Sequence, residues 1–133
     1  VVADNVWSHM TYIGDSVIGS NVSFGAGSVT ANLRLDEAHI AAGPTENQLC
    51  TQRTKLGAII GANCRVGVHV SINPGIQIGT GSFISSGTLV SINVPEKQFV
   101  RMKEGRLTMS ENRVSIPLPE DRELFRQGIK PNS

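Results

Sequence analysis

Few side chains in this chain could carry out chemistry. There are three histidines, His9, His39 and His69, and imidazole is the side chain best suited to proton transfer near neutral pH. Arg53 and Lys55 form a short basic run, in which an arginine fork can hold phosphate oxygens and a lysine adds a point charge. The sequence therefore offers candidates for a base and for a local phosphate grip, although solvated loop charges are the default interpretation of both basic residues.

The composition limits the kinds of partner. The chain has 133 residues, with 12 Lys and Arg against 11 Asp and Glu, so no sequence-wide field exists to attract nucleic acid or an acidic membrane surface. No apolar stretch approaches the roughly 20 residues that cross a bilayer. The two cysteines, Cys50 and Cys64, do not suggest a disulfide framework, which favours reduced thiols and a cytoplasmic location. One domain is expected.

A repeat of six residues organises residues 60–94. The first position of each row is aliphatic and holds Ile60, Val66, Ile72, Ile78, Ile84 and Val90. The fifth position holds Cys64, Val70, Ile76, Ser82, Thr88 and Val94. A short strand that ends in a turn needs a large branched residue inside and a smaller one at its edge, and Gly, Asn and Ser suit the corners. The repeat predicts an all-β parallel helix with three strands per coil, stacked about 4.8 Å apart.

The same period precedes this segment, with one irregularity. Hexads start at Ile18 and Phe24 and are followed by Thr30, whereas Ile13 stands five residues before Ile18, so one corner is predicted to be shortened. Between about residues 34 and 57 the register disappears in a polar stretch. We interpret this stretch as a long loop inserted at one corner, and loops of this length in a compact domain are usually functional.

Residues 95–133 lack the repeat, and we separate them from the β-helix of residues 1–94. Residues 98–111 are predicted to form a hairpin, and residues 119–127 a short helix that ends at Gly128. This tail could cap the open last coil or reach a neighbouring subunit. The chain starts in mid-coil without a methionine, which suggests a missing upstream segment.

Four sequence motifs resemble one known family. They are His9–Asp15 (HMTYIGD), Asn21–Arg34 (NVSFGAGSVTANLR), Lys55–Gly61 (KLGAIIG) and Asn73–Gly75 (NPG). They are similar to the C-terminal domain of bifunctional glucosamine-1-phosphate acetyltransferase/N-acetylglucosamine-1-phosphate uridylyltransferases, and the archaeal-type sugar-1-phosphate nucleotidylyltransferases look closest. The resemblance implies a left-handed parallel β-helix, which the period of six alone does not fix. It also implies a homotrimer with acetyl-CoA-dependent sites between subunits and a preceding nucleotidyltransferase domain.

The resemblance also assigns roles to individual residues. His9 matches the family's catalytic histidine, which would take a proton from an amine as the nitrogen attacks a thioester. Asn32 matches the asparagine that orients the amine, and Tyr12 matches a substrate-contacting tyrosine. Gly25 and Ala26 would let a pantetheine arm lie against bare backbone. Each residue has a plain structural alternative: a surface imidazole, a corner asparagine, a packed tyrosine ring and ordinary small corner residues.

Three positions depart from the bacterial members of the family. Ser23 stands in place of an asparagine, Leu33 in place of a tyrosine and Val68 in place of a coenzyme-contacting serine, which leaves the substrate preference open. Zinc is not expected, because the γ-type carbonic anhydrases that share the fold use a His-x4-His pair that this chain lacks. A covalent acyl-cysteine is not expected, because Cys64 is predicted to point inward.

Together these features predict an acetyl-CoA-dependent N-acetyltransferase that acts on an amino-sugar 1-phosphate such as glucosamine-1-phosphate. Arg53 and Lys55 are the candidates for gripping the phosphate, and no metal is predicted. The alternative is a catalytically silent module that trimerises and positions a nucleotidylyltransferase domain.

Overall fold

The computed structural model describes residues 1–115 and 118–129. Their regular structure consists mostly of two-residue strands. In chain order the strands are β1 (Trp7–Ser8), β2 (Tyr12–Ile13), β3 (Val17–Ile18), β4 (Ser23–Phe24), β5 (Val29–Thr30), β6 (Ala41–Ala42), β7 (Leu49–Cys50), β8 (Ile59–Ile60), β9 (Arg65–Val66), β10 (Ser71–Ile72), β11 (Gln77–Ile78), β12 (Phe83–Ile84), β13 (Leu89–Val90), β14 (Gln98–Lys103) and β15 (Arg106–Glu111). A 3-10 helix spans Thr45–Asn47, and the α-helix α1 spans Pro119–Ile129.

The short strands form the three faces of a prism. Face 1 contains β1, β4, β9, β12 and β14, face 2 contains β2, β5, β10 and β13, and face 3 contains β3, β8 and β11. The strands of each face are parallel and in register, so that Phe24 pairs with Val66 and Val66 pairs with Ile84. Because the chain visits the faces in turn, each coil stacks on the previous one through backbone hydrogen bonds. The predicted three-sided parallel β-helix is confirmed.

Two repeating columns fill the interior of the prism, as the sequence predicts. The branched column is buried at Ile18, Phe24, Ile60, Val66, Ile72, Ile78, Ile84 and Val90. Two polar members of the other column are buried as well: Ser82 donates a hydrogen bond of 2.9 Å to the carbonyl of Pro95, and Thr88 donates one of 2.6 Å to the carbonyl of Ser85. Because a buried hydroxyl with a hydrogen-bond partner avoids most of the cost of desolvation, both residues are compatible with the core.

The two cysteines offer a test of this core. Cys64 is fully buried, whereas Cys50 is exposed on β7. Burial raises the pKa of the Cys64 thiol, and the thiolate is the reactive form. We expect one thiol to react rapidly with a chromogenic thiol reagent in the native protein and both to react after denaturation, with the labelled residue identified by mass mapping. Rapid native labelling of Cys64 would contradict its place in the core.

The first coil has two corners that are each one residue shorter than the corner that follows them. Three residues, His9–Thr11, join β1 to β2, and three residues, Gly14–Ser16, join β2 to β3, whereas four residues join β3 to β4. The second short corner is the one that the spacing of the early hexads predicts, and the first is an addition to that prediction. Met10 and Asp15, at the middle of these corners, adopt left-handed φ values of 47° and 43°. The outer surface of the first coil therefore differs from that of the next coil.

The loop between β5 and β8 folds back onto the prism. An antiparallel bridge between Leu33 and Lys55 closes its base, and its distal part contains the antiparallel pair of β6 and β7. Ile40 in this loop is 2% exposed, and Asn93 donates a hydrogen bond of 2.9 Å to the carbonyl of Gly43. The inserted loop is present as predicted, but it packs against the coils and is not simply thrown out from a corner.

The prediction that the repeat stops at Pro95 is wrong by one strand of the stack. Val94 forms a parallel bridge with Ile78, and in β14 Val100 pairs with Ile84 and is fully buried. The physical reason is that the column of buried apolar side chains continues through Val100, although the six-residue sequence pattern ends at Pro95. β14 then pairs with β15 as an antiparallel hairpin, so the first strand of the predicted hairpin belongs to the β-helix.

The helix α1 lies at the opposite end of the prism from the hairpin. The guanidinium of Arg122 covers the indole of Trp7 in the first coil, with 3.6 Å between Cζ and the ring centroid. The helix predicted for residues 119–127 is present, but it continues through Gly128, where the sequence predicts its end, to Ile129. Within the described part of the chain, no helix combines the length and the apolar composition of a membrane span.

Candidate active site

Three polar side chains meet at the corner between face 2 and face 3. Asn32 Nδ2 donates hydrogen bonds to the Tyr12 hydroxyl at 3.1 Å and to Asp15 Oδ2 at 2.6 Å. Tyr12 begins β2, Asp15 lies in the short corner after β2, and Asn32 follows β5, the parallel neighbour of β2. Stacking of two coils therefore joins two predicted site residues, Tyr12 and Asn32, and adds Asp15 to them.

Buried polar groups hold this corner in place. Ser16 Oγ donates to the carbonyl of Gly14 at 2.8 Å, and Thr30 Oγ1 accepts a hydrogen bond from the Gly14 amide at 3.0 Å. The ring of Tyr12 lies so close to Gly14 that an added Cβ there would be 2.7 Å from the tyrosine hydroxyl. The ring of Tyr12 thus packs at the short corner, which is the structural role considered for it in the sequence. Its hydroxyl also accepts the hydrogen bond from Asn32.

Asp15 is a member of this cluster that the sequence interpretation omits. It closes the motif His9–Asp15, but motif membership does not reveal which side chains bond to each other. Because Tyr12 and Asp15 both use Nδ2 of Asn32, the Oδ1 carbonyl of Asn32 is left as an acceptor. An amide oxygen in this position can accept a hydrogen bond from a substrate amine.

Lys55 and Arg53 lie at the base of the inserted loop. Leu56 donates a backbone hydrogen bond of 2.9 Å to the carbonyl of Asn32, so Lys55 is next to the residue that pairs with Asn32. Arg53 is two residues further into the loop, where its carbonyl accepts a hydrogen bond of 2.9 Å from Ile40. Both side chains are exposed. The backbone of Lys55 therefore adjoins the residue bonded to Asn32, and Arg53 lies two residues farther into the loop.

His9 lies at the other end of face 2, at the corner between face 1 and face 2. It lines a cavity of about 660 Å³ together with Ser23 and Gly25. The indole of Trp7 forms part of the wall, and α1 contributes two further residues. The His9 side chain is exposed, so it can exchange a proton with a molecule that enters the cavity.

Coil stacking accounts for the small residues Gly25 and Ala26. A Cβ added at Gly25 would lie 2.5 Å from the amide nitrogen of Val68 in the next coil, and the carbonyl of Ala26 accepts a hydrogen bond of 3.0 Å from the amide of His69. Both residues therefore serve as small corner residues that let successive coils stack. Gly25 in addition lines the His9 cavity. His69 itself is exposed at a left-handed φ of 52°.

His9 and the Asn32 cluster flank the same face without meeting in one chain. The strand β2 between them has two residues, a rise of about 7 Å. Among the residues that the structure describes, no hydrogen bond joins His9 to Tyr12 or Asn32. The arrangement offers a base at one corner and a hydrogen-bonding cluster with a nearby cation at the other. Such a site suits a substrate that spans face 2 or lies between two chains.

The sequence is similar to several bifunctional proteins, although no protein-family model matches it. It is 41% identical over 96 residues to the bifunctional protein GlmU of Methanococcus aeolicus, which covers 72% of this chain and 23% of that protein. It is 40% identical over 94 residues to the bifunctional sugar-1-phosphate nucleotidylyltransferase/acetyltransferase of Sulfurisphaera tokodaii, which covers 71% of this chain and 23% of that protein. The chain thus spans less than a quarter of the length of these relatives.

The fold is also found in a solved structure. A maltose O-acetyltransferase from Clostridium difficile 630 matches 80% of this chain and 58% of its own, with a TM-score of 0.50 and 20% identity. At this identity the match shows the fold alone. The chain therefore has the left-handed parallel β-helix fold, and it resembles the acetyltransferase domain of the bifunctional sugar-1-phosphate nucleotidylyltransferases, as the four sequence motifs indicate.

Proposed function

We propose that this chain is an acetyl-CoA-dependent N-acetyltransferase that acts on an amino-sugar 1-phosphate, with glucosamine-1-phosphate as the first candidate. The observation that carries the proposal is the placement of an exposed histidine, His9, and a hydrogen-bonding cluster around Asn32 at the two ends of one face. A histidine alone could be a surface residue. A base, an amide acceptor and the Lys55 ammonium around one pair of coils match the amine and the phosphate of such a substrate.

The proposed reaction is a direct acetyl transfer. His9, as the neutral imidazole, accepts a proton from the amine while the amine nitrogen forms a bond to the thioester carbonyl carbon. Collapse of the tetrahedral intermediate breaks the carbon–sulfur bond, and the proton on His9 passes to the leaving thiolate of coenzyme A. Asn32 Oδ1 accepts a hydrogen bond from the amine and orients it, while Lys55 pairs with the phosphate. Arg53, farther out, adds positive charge at the loop.

Acetyl-CoA is proposed to lie along the His9 corner. Gly25 lines the His9 cavity, so a pantetheine arm in this cavity would lie against the backbone of Gly25 and of the adjacent Ala26. Val68 in the adjacent coil is 43% exposed and stands where the bacterial family has a serine. We therefore expect the arm to make apolar contact at Val68 in place of a hydrogen bond. No metal takes part in this scheme.

We propose that the chain forms a homotrimer with the site between neighbouring chains. Two features support this. His9 and the Asn32 cluster are not joined by a hydrogen bond within one chain, among the residues described. In addition, the apolar side chain of Met10, next to His9, is 93% exposed, and methionine is enriched at protein interfaces.

The proposal extends to the whole protein. Because the relatives are named as bifunctional and the chain spans 23% of their length, we propose that a nucleotidyltransferase domain precedes this one.

Cys50 and Cys64 are both free thiols, which fits a reducing compartment, and we propose a cytoplasmic location.

A non-catalytic trimerisation module is the second candidate. Two of the departures from the bacterial family favour it, because they lie at the candidate site. Ser23 lines the His9 cavity, and Leu33 pairs with Lys55 at the base of the loop. Calorimetric titration of the intact assembly with acetyl-CoA distinguishes the two candidates. A trimer that gives no heat of binding would favour the silent module.

Steady-state release of coenzyme A tests the enzymatic proposal. With acetyl-CoA and glucosamine-1-phosphate, we expect release of one thiol for each N-acetylated sugar. N-acetylglucosamine-1-phosphate is the matched control substrate, because its amine is already blocked, and it should give background release. Equal release with both substrates, or none with either, would refute N-acetylation of this substrate.

Replacement of Asn32 by alanine should weaken use of the amino sugar. The substitution removes the amide oxygen proposed to hold the amine and also frees Tyr12 and Asp15, which now share Asn32 Nδ2. We expect kcat/KM for glucosamine-1-phosphate to fall by about ten- to a hundredfold, equivalent to about 1.4–3 kcal/mol. The KM for acetyl-CoA is the internal control and should not change, because the coenzyme is assigned to the other corner. A selective rise in the KM for acetyl-CoA would contradict this assignment.

A further inference from the structure

The helix α1 is an element of the candidate site that the four sequence motifs do not contain. Resting on the proposed function, we propose that α1 forms one wall of the acyl-transfer cavity and that Arg122 is a positioning residue. Arg122 would act on His9 through Trp7. Asp121 and Arg122 of α1 line the same cavity as His9 and Trp7.

Arg122 is buried at the junction between α1 and the first coils. It is 7% exposed, its guanidinium lies 3.6 Å from the centroid of the Trp7 ring, and its Nη1 donates a hydrogen bond of 2.5 Å to Asn21 Oδ1. A cation over an indole and a charge-assisted hydrogen bond are both stronger when they are shielded from water. Arg122 and Asn21 are 101 positions apart in the sequence, so this contact attaches α1 to the prism.

The acceptor of this hydrogen bond is held by the next coil. Asn21 lies in a corner at a left-handed φ of 55°, and its Nδ2 donates to Asn63 Oδ1 at 2.9 Å. Arg65 donates to the carbonyl of Asn21 at 2.6 Å and to Oδ1 at 3.3 Å. Arg122 is therefore docked on a polar network that spans successive coils.

Trp7 connects this network to the candidate base. It begins β1, and His9 follows β1 directly at the short corner. The amide of Trp7 donates a hydrogen bond of 2.9 Å to the carbonyl of Val22, so the second coil holds the strand while Arg122 holds the indole. Release of the indole would open the cavity wall and change the position of the His9 corner. A wall that excludes water also strengthens polar interactions inside the cavity.

Loss of the Arg122 contact should slow the chemical step without weakening binding of the sugar phosphate. The contacts proposed to bind the sugar phosphate, those with Asn32 and Lys55, lie at the other corner of face 2 and not on α1, so its KM should stay unchanged. A displacement of about 1 Å at a reacting group can cost about a hundredfold in rate. We therefore expect Arg122→Gln to lower kcat by about ten- to a hundredfold.

The single tryptophan of the chain, Trp7, gives a direct optical reading of α1 docking. In Arg122→Gln we expect Trp7 emission at longer wavelength and stronger quenching by acrylamide, together with the fall in kcat. Gln127→Ala, at an exposed position of the same helix that lines neither of the cavities next to Trp7, is the matched control and should keep wild-type values. Arg122→Lys retains a cation but loses the planar fork, so it should give intermediate values.

The outcomes separate this inference from the proposed function. Unchanged quenching in Arg122→Gln would overturn the inference, because α1 would not be docked on Trp7. Stronger quenching with unchanged kcat and KM per folded trimer would also overturn it, since α1 would then be only structural. If Arg122→Gln does not fold, Arg122→Lys decides: a reduced kcat with unchanged KM supports the inference, and wild-type kcat refutes it. A wild-type protein without acetyltransferase activity would refute the proposed function, and the positioning role of Arg122 would be refuted with it.

Discussion

Replacement of His9 by alanine should reduce kcat for acetyl transfer by about a hundred- to ten-thousandfold, the usual contribution of a positioned general base. Without the imidazole, the attacking amine has to lose its proton to water. The KM for glucosamine-1-phosphate should change little, because the contacts with the sugar phosphate are assigned to the corner of Asn32 and Lys55. Steady-state release of coenzyme A at saturating substrate concentrations measures the effect.

His69 provides a matched control for this experiment. It is also exposed and also lies at the corner between face 1 and face 2, two coils further along the prism. Its φ of 52° is left-handed, so asparagine is the suitable replacement. His69→Asn should keep the wild-type kcat. Unchanged turnover in His9→Ala with an intact fold would exclude His9 as the base.

The largest effect on stability is expected for Gly57→Ala, at the end of the inserted loop. An added Cβ would lie 1.9 Å from the carbonyl oxygen of Gly14 and 2.1 Å from Ser16 Oγ. The backbone of Gly57 cannot shift easily, because it donates to the carbonyl of Asp15 at 2.9 Å and accepts from the amide of Gly75 at 2.9 Å. We expect the free energy of unfolding to fall by about 3 kcal/mol, and Tm to fall by about 10 °C.

Gly87→Asn separates this steric effect from a general intolerance of glycine replacement. A Cβ at Gly87 would meet nothing within 4 Å, and the φ of 73° at Gly87 is close to the 60° that Asn63 adopts at a similar corner. We expect a loss below about 1 kcal/mol for this variant. Thermal unfolding followed by circular dichroism compares the two proteins. Equal changes in Tm would contradict the close approach at Gly57.

The interior of the fold could be predicted from the sequence because each coil buries the same two columns. Ile60 stacks on Ile78 for the reason that both occupy the first position of a hexad. Ser82 and Thr88 are polar, yet their column places them inside, and backbone carbonyls at the corners accept their hydrogen bonds. In contrast, the end of the stack cannot be predicted from the six-residue pattern, because Val100 continues the buried apolar column where no hexad is recognisable.

The candidate site could be predicted as a set of residues but not as an arrangement. Motif membership identifies Tyr12 and Asn32, whereas the hydrogen bond to Asp15 depends on the geometry of a three-residue corner. The docking of Arg122 on Trp7 joins the two ends of the described chain. No periodic rule predicts such a contact, because it joins a side chain of the first coil to a helix that the repeat does not contain.

A crystal structure of the assembly with glucosamine-1-phosphate and coenzyme A tests the central claim most directly. We predict that the amine nitrogen lies within hydrogen-bond reach of the His9 imidazole, at about 3 Å. Asn32 should lie beside the amine, and Lys55 should lie near the phosphate. A sugar phosphate bound with its amine remote from every His9 of the assembly would contradict the proposed role of His9 as the base.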